Sequence, residues 1–104
     1  MKNIFYIEYM NTELIGWLAT VLGIISFVPQ TLKVYKTDDT KSISLGMYII
    51  ITISFGLWIY YGFVLNLKPI LYGNMCIIIM SIYILITKIH HLRREKKILY
   101  DNLL

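Results

Sequence analysis

Residues 42–67, SISLGMYIIITISFGLWIYYGFVLNL, run for 26 positions without one Asp, Glu, Lys, Arg or His. About 20 mostly apolar residues suffice to cross a hydrocarbon core of roughly 30 Å. Two further uncharged runs of 19 residues flank it: LIGWLATVLGIISFVPQTL at 14–32 and PILYGNMCIIIMSIYILIT at 69–87. Together the three occupy 64 of 104 residues, in a chain that is 58% hydrophobic and 15% charged. A soluble fold of this size keeps too much of its surface in water to hide so many apolar side chains. The remaining segments, of 13, 9, 1 and 17 residues, are too short to fold as separate soluble domains. The prediction is a single all-α membrane domain over 1–104, a bundle of three transmembrane helices spanning about 14–32, 43–66 and 69–88. A basic tail follows at 89–104. This excludes a globular enzyme with an aqueous active site, and no enzymatic activity or cofactor is expected.

The net charge of +4 is distributed unevenly. Lys33, Lys36 and Lys41 lie in the first loop, and Lys88, Arg93, Arg94, Lys96 and Lys97 in the tail. Only Lys2 and Lys68 fall on the other side of a three-span topology, so the split is eight against two. By the positive-inside rule the C-terminus is cytoplasmic and the N-terminus outside. The basic tail is then an orientation signal beside anionic lipid of the bilayer, and no nucleic-acid partner is expected. Lys2 with Ile4 to Ile7 has the look of a signal-peptide start, but Glu8 interrupts it and no small-x-small cleavage site follows, so residues 14–32 are expected to be retained.

The lone Cys76 has no partner for a disulfide within the chain and is expected to act as a small packing residue. His90 and His91 are adjacent, do not share a helix face and have no ligand cluster around them. They are expected to be solvated tail residues, and no metal site is predicted.

Small residues recur along the first span at Gly16, Ala19, Thr20, Gly23 and Ser26. This spacing lets helix backbones approach closely where lipid provides no hydrophobic drive, so the face should pack on another helix. Pro29 lacks an N–H for the carbonyl of Ile25 and opposes a straight helix. Two readings fit: the helix ends here at the interface, or it bends around Ile25 to Pro29 as a hinge, with Ser26, Gln30 or Thr31 serving the freed carbonyl. Ser42 or Ser44 offers an N-cap for the second span, and Pro69 suits the first turn of the third. Trp17, Tyr60, Tyr61 and Tyr72 mark the outer boundary, and Tyr35 and Tyr48 the cytoplasmic one, mostly as interfacial belt residues.

No ionisable group other than tyrosine or cysteine occurs within a span. A proton relay needs groups that titrate, so proton coupling and charged cargo are disfavoured. The polar groups at depth are neutral: Asn74, Ser54, Thr52, Ser26, Thr20 and Ser81. Trp58 and Asn74 each lie about four residues outward of the middle of their runs, roughly 6 Å at 1.5 Å per residue. An indole face beside an amide suits a neutral polyhydroxylated molecule, the ring stacking on C–H groups while the amide bonds to hydroxyls. An interfacial Trp beside an inter-helix Asn hydrogen bond accounts for the spacing as well.

The segments Phe27-Val28-Pro29-Gln30, Thr40-Lys41-Ser42-Ile43-Ser44 with Met47-Tyr48, Trp58-Ile59-Tyr60-Tyr61-Gly62 and Asn74 occur in an order and spacing that resembles the SemiSWEETs. These are the bacterial half-size relatives of SWEETs, in the PQ-loop sugar transporter family. The resemblance covers about Gly16 to Thr87. It implies a bundle with helix order 1-3-2 and a functional parallel homodimer. It also implies a substrate pocket at Trp58 and Asn74, with which Ser54 is grouped. Pro29 and Gln30 would form the hinge. Phe27 and Met47 would gate the cytoplasmic side, and Tyr61 the outer side. Some relatives carry a charged pair beyond that tyrosine, where this chain has Leu65 and Leu67, so apolar contact is expected to replace an ionic latch. The implied function is passive, bidirectional sugar uniport by alternating access in the bacterial inner membrane. Since three packed helices enclose no lumen, a pathway also requires a second copy. The alternatives are a PQ-loop transporter of another small neutral metabolite and a non-transporting membrane subunit of a larger complex.

Overall fold

A computed structural model describes residues 2–104 as three helices: α1 Lys2–Thr37, α2 Leu45–Val64 and α3 Lys68–Leu103. All three are long and apolar enough to cross a membrane. Helices α1 and α3 outrun their uncharged stretches. Residues 88–103 contain neither Gly nor Pro and are rich in Leu, Arg, Lys and Glu, which favour helix, so α3 continues through the basic tail. α1 likewise passes through Pro29 to Thr37, so the helix does not end at the proline.

Helix α3 packs against both α1 and α2. Against α1 part of the expected small face is used: Gly16 lies against Pro69, Thr20 against Gly73 and Gly23 against Ile77, while Ala19 and Ser26 are exposed. A Cβ on Gly73 would run into the methyl of Thr20, so this crossing requires glycine. The Thr20 hydroxyl also donates to the carbonyl of Pro69 (3.1 Å). Because Gly16 meets the start of α3, about 14 residues of α1 project beyond the bundle at that end, about 21 Å of helix. The tail of α3 projects from the other end, which accounts for the 77 Å length of a molecule only 25 by 14 Å across.

Helix α2 turns back on α3 through Leu65, Asn66 and Leu67. Asn66 takes the left-handed conformation (φ 55°), and Leu67 N–H closes onto the carbonyl of Gly62 (2.8 Å). Asn is among the few non-glycine residues that adopt this backbone readily. At Gly62 a Cβ would lie 2.9 Å from the backbone nitrogen of Leu71, so α2 and α3 start almost in backbone contact. From there the pair keeps register: Gly56 opposes Ile78, and Thr52 opposes Ser81. Pro69 occupies the first turn of α3, as expected, and of the two serines proposed as the α2 cap it is Ser44 that accepts from Met47 N–H (3.3 Å).

The buried core lies at the end of the bundle beside the α1–α2 connection, where Val34, Ile43, Tyr48 and Ile84 meet. Tyr48, expected in the interfacial belt, is only 3% exposed. The ring of Phe27 stands edge-on to it, 6.4 Å between centroids. Cys76, expected to pack, is exposed in the single chain. Ser26 and Thr31 do not serve the carbonyl of Ile25. Ser26 donates to Gly23 (2.7 Å) and Thr31 to Phe27 (3.0 Å), each within its own turn.

Candidate functional site

The register of α2 on α3 sets the level of the two central candidates. Thr52 facing Ser81 and Gly62 facing Leu71 place Trp58 opposite position 75, within one residue of Asn74. One residue is about 1.5 Å of helix, so the indole and the amide share a level. Each is held locally. The Trp58 ring stands at 88° to that of Tyr61, with centroids 5.5 Å apart. Asn74 folds its amide back along α3, Nδ2 donating to the carbonyl of Ile70 (2.7 Å), and is half-buried. Among the described residues no hydrogen bond joins Asn74 to α2. Trp58 is 48% exposed.

The α2 candidates fall on one stripe. Met47, Ser54, Trp58 and Tyr61 follow steps of seven, four and three residues, which keeps them on one face of a helix with 3.6 residues per turn. That face is turned roughly 100° from the one packed on α3. Met47, Trp58 and Tyr61 are exposed and Ser54 is half-buried. The stripe carries a hydroxyl, an indole N–H and a phenol, all neutral, and leaves them available to a molecule lying against α2.

Phe27 reaches across from α1 to α2, meeting Phe55 (6.0 Å, 77°) as well as Tyr48. It therefore fills the space between those helices in the half nearer the buried core. Pro29 and Gln30 follow it on α1 and are exposed. At the end that carries the α2–α3 turn Leu65 and Leu67 are exposed, and the local charges come from Glu13 of α1 and Lys68 of α3. Both border a cavity of about 240 Å³ together with Tyr9 and Asn66.

Two groups of residues were not singled out as partners by the sequence. Thr52 and Ser81 approach to 2.6 Å between α2 and α3; both had been noted only as polar groups at depth. Their equal distance from the Asn66–Leu67 turn is a signal that would have paired them. The second group ties the first loop to α3. His91, expected to be solvated, has a side chain only 15% exposed. Its Nδ1 lies 2.7 Å from the Thr40 hydroxyl and its Nε2 3.1 Å from Asp38. With the proton on Nε2, the ring donates to Asp38 and accepts from Thr40. Lys88 donates to the carbonyl of Thr40 (2.7 Å), and Thr40 is 3% exposed. His90, by contrast, is exposed and sits 3.2 Å from Arg94.

Comparison with known proteins follows the same lines. The model of the PQ loop repeat family matches residues 12–71. The chain is 37% identical over 77 residues to the sugar transporter SemiSWEET of Leptospira biflexa, covering 74% of this chain and 91% of that protein. It is 30% identical over 79 residues to the SemiSWEET of Bradyrhizobium diazoefficiens, covering 76% and 92%. Among solved structures, SemiSWEET in the inward-open conformation superposes with a TM-score of 0.78 at 27% identity, covering 88% of this chain and 97% of that one. A bacterial homologue of SWEET transporters does so with a TM-score of 0.70 at 33% identity, covering 76% and 95%.

Proposed function

Because the chain belongs to the PQ-loop repeat family, among the SemiSWEETs, we propose that it is a passive, bidirectional sugar uniporter working as a parallel homodimer. The observation that carries this reading is the exposed α2 stripe of Ser54, Trp58 and Tyr61 at the level of Asn74. A single chain leaves that stripe open on one side. A second copy related by a two-fold axis along the membrane normal would close it, setting two Trp58 and two Asn74 around one central space. A sugar between them stacks C–H groups on the indoles and exchanges hydrogen bonds with the amides and Ser54.

Alternating access follows from where the bundle is fixed and where it is not. Helix α3, lying between α1 and α2 and bonded to both, is the body of each protomer. Pro29 and Gln30 form the flexible point of α1, next to Phe27. In this reading Phe27 and Met47 close the cytoplasmic side and Tyr61 the outer side, aided by Leu65 and Leu67. The absence of titratable carboxylates, histidines and amines from the spans supports uniport over proton coupling. The eight-to-two distribution of Lys and Arg supports a bacterial inner-membrane orientation with the N-terminus outside and the C-terminus cytoplasmic.

The test is counterflow in liposomes containing only this protein, run across mono- and disaccharides and a panel of other neutral solutes. Sugar exchange without an imposed proton gradient is the expected result. Exchange that depends on the gradient rejects uniport, and exchange confined to other solutes rejects sugar as cargo.

A further inference from the structure

We propose that the groove between α1 and α3, on the side away from α2, holds an acyl chain of an acidic phospholipid whose phosphate rests at Arg94 and Lys36. The proposal rests on the membrane placement given above and concerns a surface that the transport pathway does not use. The groove has a volume of about 430 Å³ and is lined by Thr31, Leu32 and Tyr35 of α1 and Ile79, Met80 and Tyr83 of α3. Its lining is almost wholly apolar, because the Thr31 hydroxyl is turned back onto the carbonyl of Phe27 and leaves its methyl outward. Ile79 and Tyr83 lie on roughly the opposite side of α3 from Ile70, Ile78 and Ser81, which face α2. The groove therefore opens to the hydrocarbon and away from Trp58 and Asn74.

Its inner mouth is basic. Lys36 stands one helical turn beyond Leu32 on α1. On α3, His90 and Arg94 continue the line of Tyr83 at steps of seven and four residues. Arg94 turns its guanidinium back to lie 3.2 Å from Nε2 of His90. That level is twelve residues, about 18 Å, from the middle of the third uncharged run, at the headgroup edge of a hydrocarbon core roughly 30 Å thick. Helical side chains lean toward the N-terminus, so Arg94 reaches down to this level. Among the described residues the salt bridge of this region is His91 with Asp38, which leaves Arg94 bonded to His90 but without a carboxylate partner, although it borders a cavity with Asp38, Asp39 and Glu95. An apolar slot ending in a guanidinium without a carboxylate partner and an ammonium at headgroup height complements an acyl chain joined to a phosphate.

The experiment is native mass spectrometry of the purified chain in detergent with equimolar phosphatidylglycerol and phosphatidylcholine of matched acyl chains. Retained phosphatidylglycerol should exceed phosphatidylcholine by about fivefold or more, as one added basic contact implies. Arg94→Gln with Lys36→Gln should bring the two near parity. Ile79→Trp, at an exposed position that fills the groove, should reduce both. An unchanged preference in the double variant, or undiminished retention of both lipids in Ile79→Trp, overturns the proposal. So does displacement of phosphatidylglycerol by an equal concentration of glycerol phosphate, which has no acyl chain. Efficient disulfide formation between two copies of Ile79→Cys in a Cys76→Ser background overturns it too, because a second chain then fills the groove. Solute transport is not read in any arm, so failure of the sugar assignment leaves this test intact.

Discussion

The hydroxyls of Thr52 and Ser81 meet at 2.6 Å between α2 and α3, and the Thr52 oxygen lies equally close, 2.6 Å, to the carbonyl of Tyr48. A hydroxyl has one proton to give. If Thr52 gives its proton to Tyr48, Ser81 donates to Thr52, and the three groups form a relay across the helix pair at a point where Ser81 is fully buried. This cross-link sits two turns inward of Trp58 and holds the register that levels it with Asn74.

Removing the relay should loosen the pair. Ser81→Ala leaves the Thr52 oxygen without its donor and is expected to cost about 0.5–1.5 kcal/mol. A lower midpoint in a thermal stability assay on the detergent-solubilised protein checks this, and an unshifted midpoint would show that the relay contributes nothing.

At the α1–α3 crossing the constraint is steric. Gly73→Ala drives a Cβ into the Thr20 methyl and is expected to destabilise by about 1–3 kcal/mol. Thr20→Ser removes that methyl while keeping the hydroxyl that donates to Pro69. The double variant should recover most of the loss, a coupling that a double-mutant cycle of thermal midpoints measures directly.

Adjacent histidines should behave differently. His91→Ala leaves the buried Thr40 hydroxyl unpaired and is expected to cost about 1–3 kcal/mol. His90→Ala, at an exposed position, should fall within about 0.5 kcal/mol of the parent. Equal effects in the melts would contradict the assignment of His91 as the tie between the first loop and α3.

The proposed pocket predicts a loss of transport without a loss of fold. Trp58→Ala and Asn74→Ala should each lower counterflow about tenfold, the equivalent of roughly 1.4 kcal/mol of lost substrate interaction. Their elution as folded protein should be unchanged, since Trp58 is half-exposed and Asn74 bonds within its own helix. Undiminished flux in either variant removes that residue from the site.

Much of the fold is legible in the sequence, for physical reasons that differ by feature. The three helices are visible because charge cannot enter hydrocarbon, so its absence marks each span. The small face of α1 is visible because Gly16, Thr20 and Gly23 recur at helical spacing, and they do meet α3. The level of Trp58 and Asn74 is visible because each lies about four residues from the middle of its uncharged run, on the same side. The inner end was not legible. His91 and Thr40 are 51 residues apart, and their contact depends on α3 remaining helical beyond its apolar run, where the basic composition suggested only a solvated tail. Tyr48 was misplaced for a related reason. Its phenol suits an interface, but Val34 of α1 and Ile43 of the α1–α2 connection pack with it.

The stagger of α1 and α3 makes the chain its own goniometer. The 15 residues of α3 beyond Lys88 form a rod of roughly 23 Å past the uncharged run, continuous with the helix that carries Asn74. A change in the tilt of α3 within the bilayer is thus magnified at residues such as Leu99. A pair of spin labels there in a two-fold assembly converts small angular steps of the buried helices into distances long enough to measure.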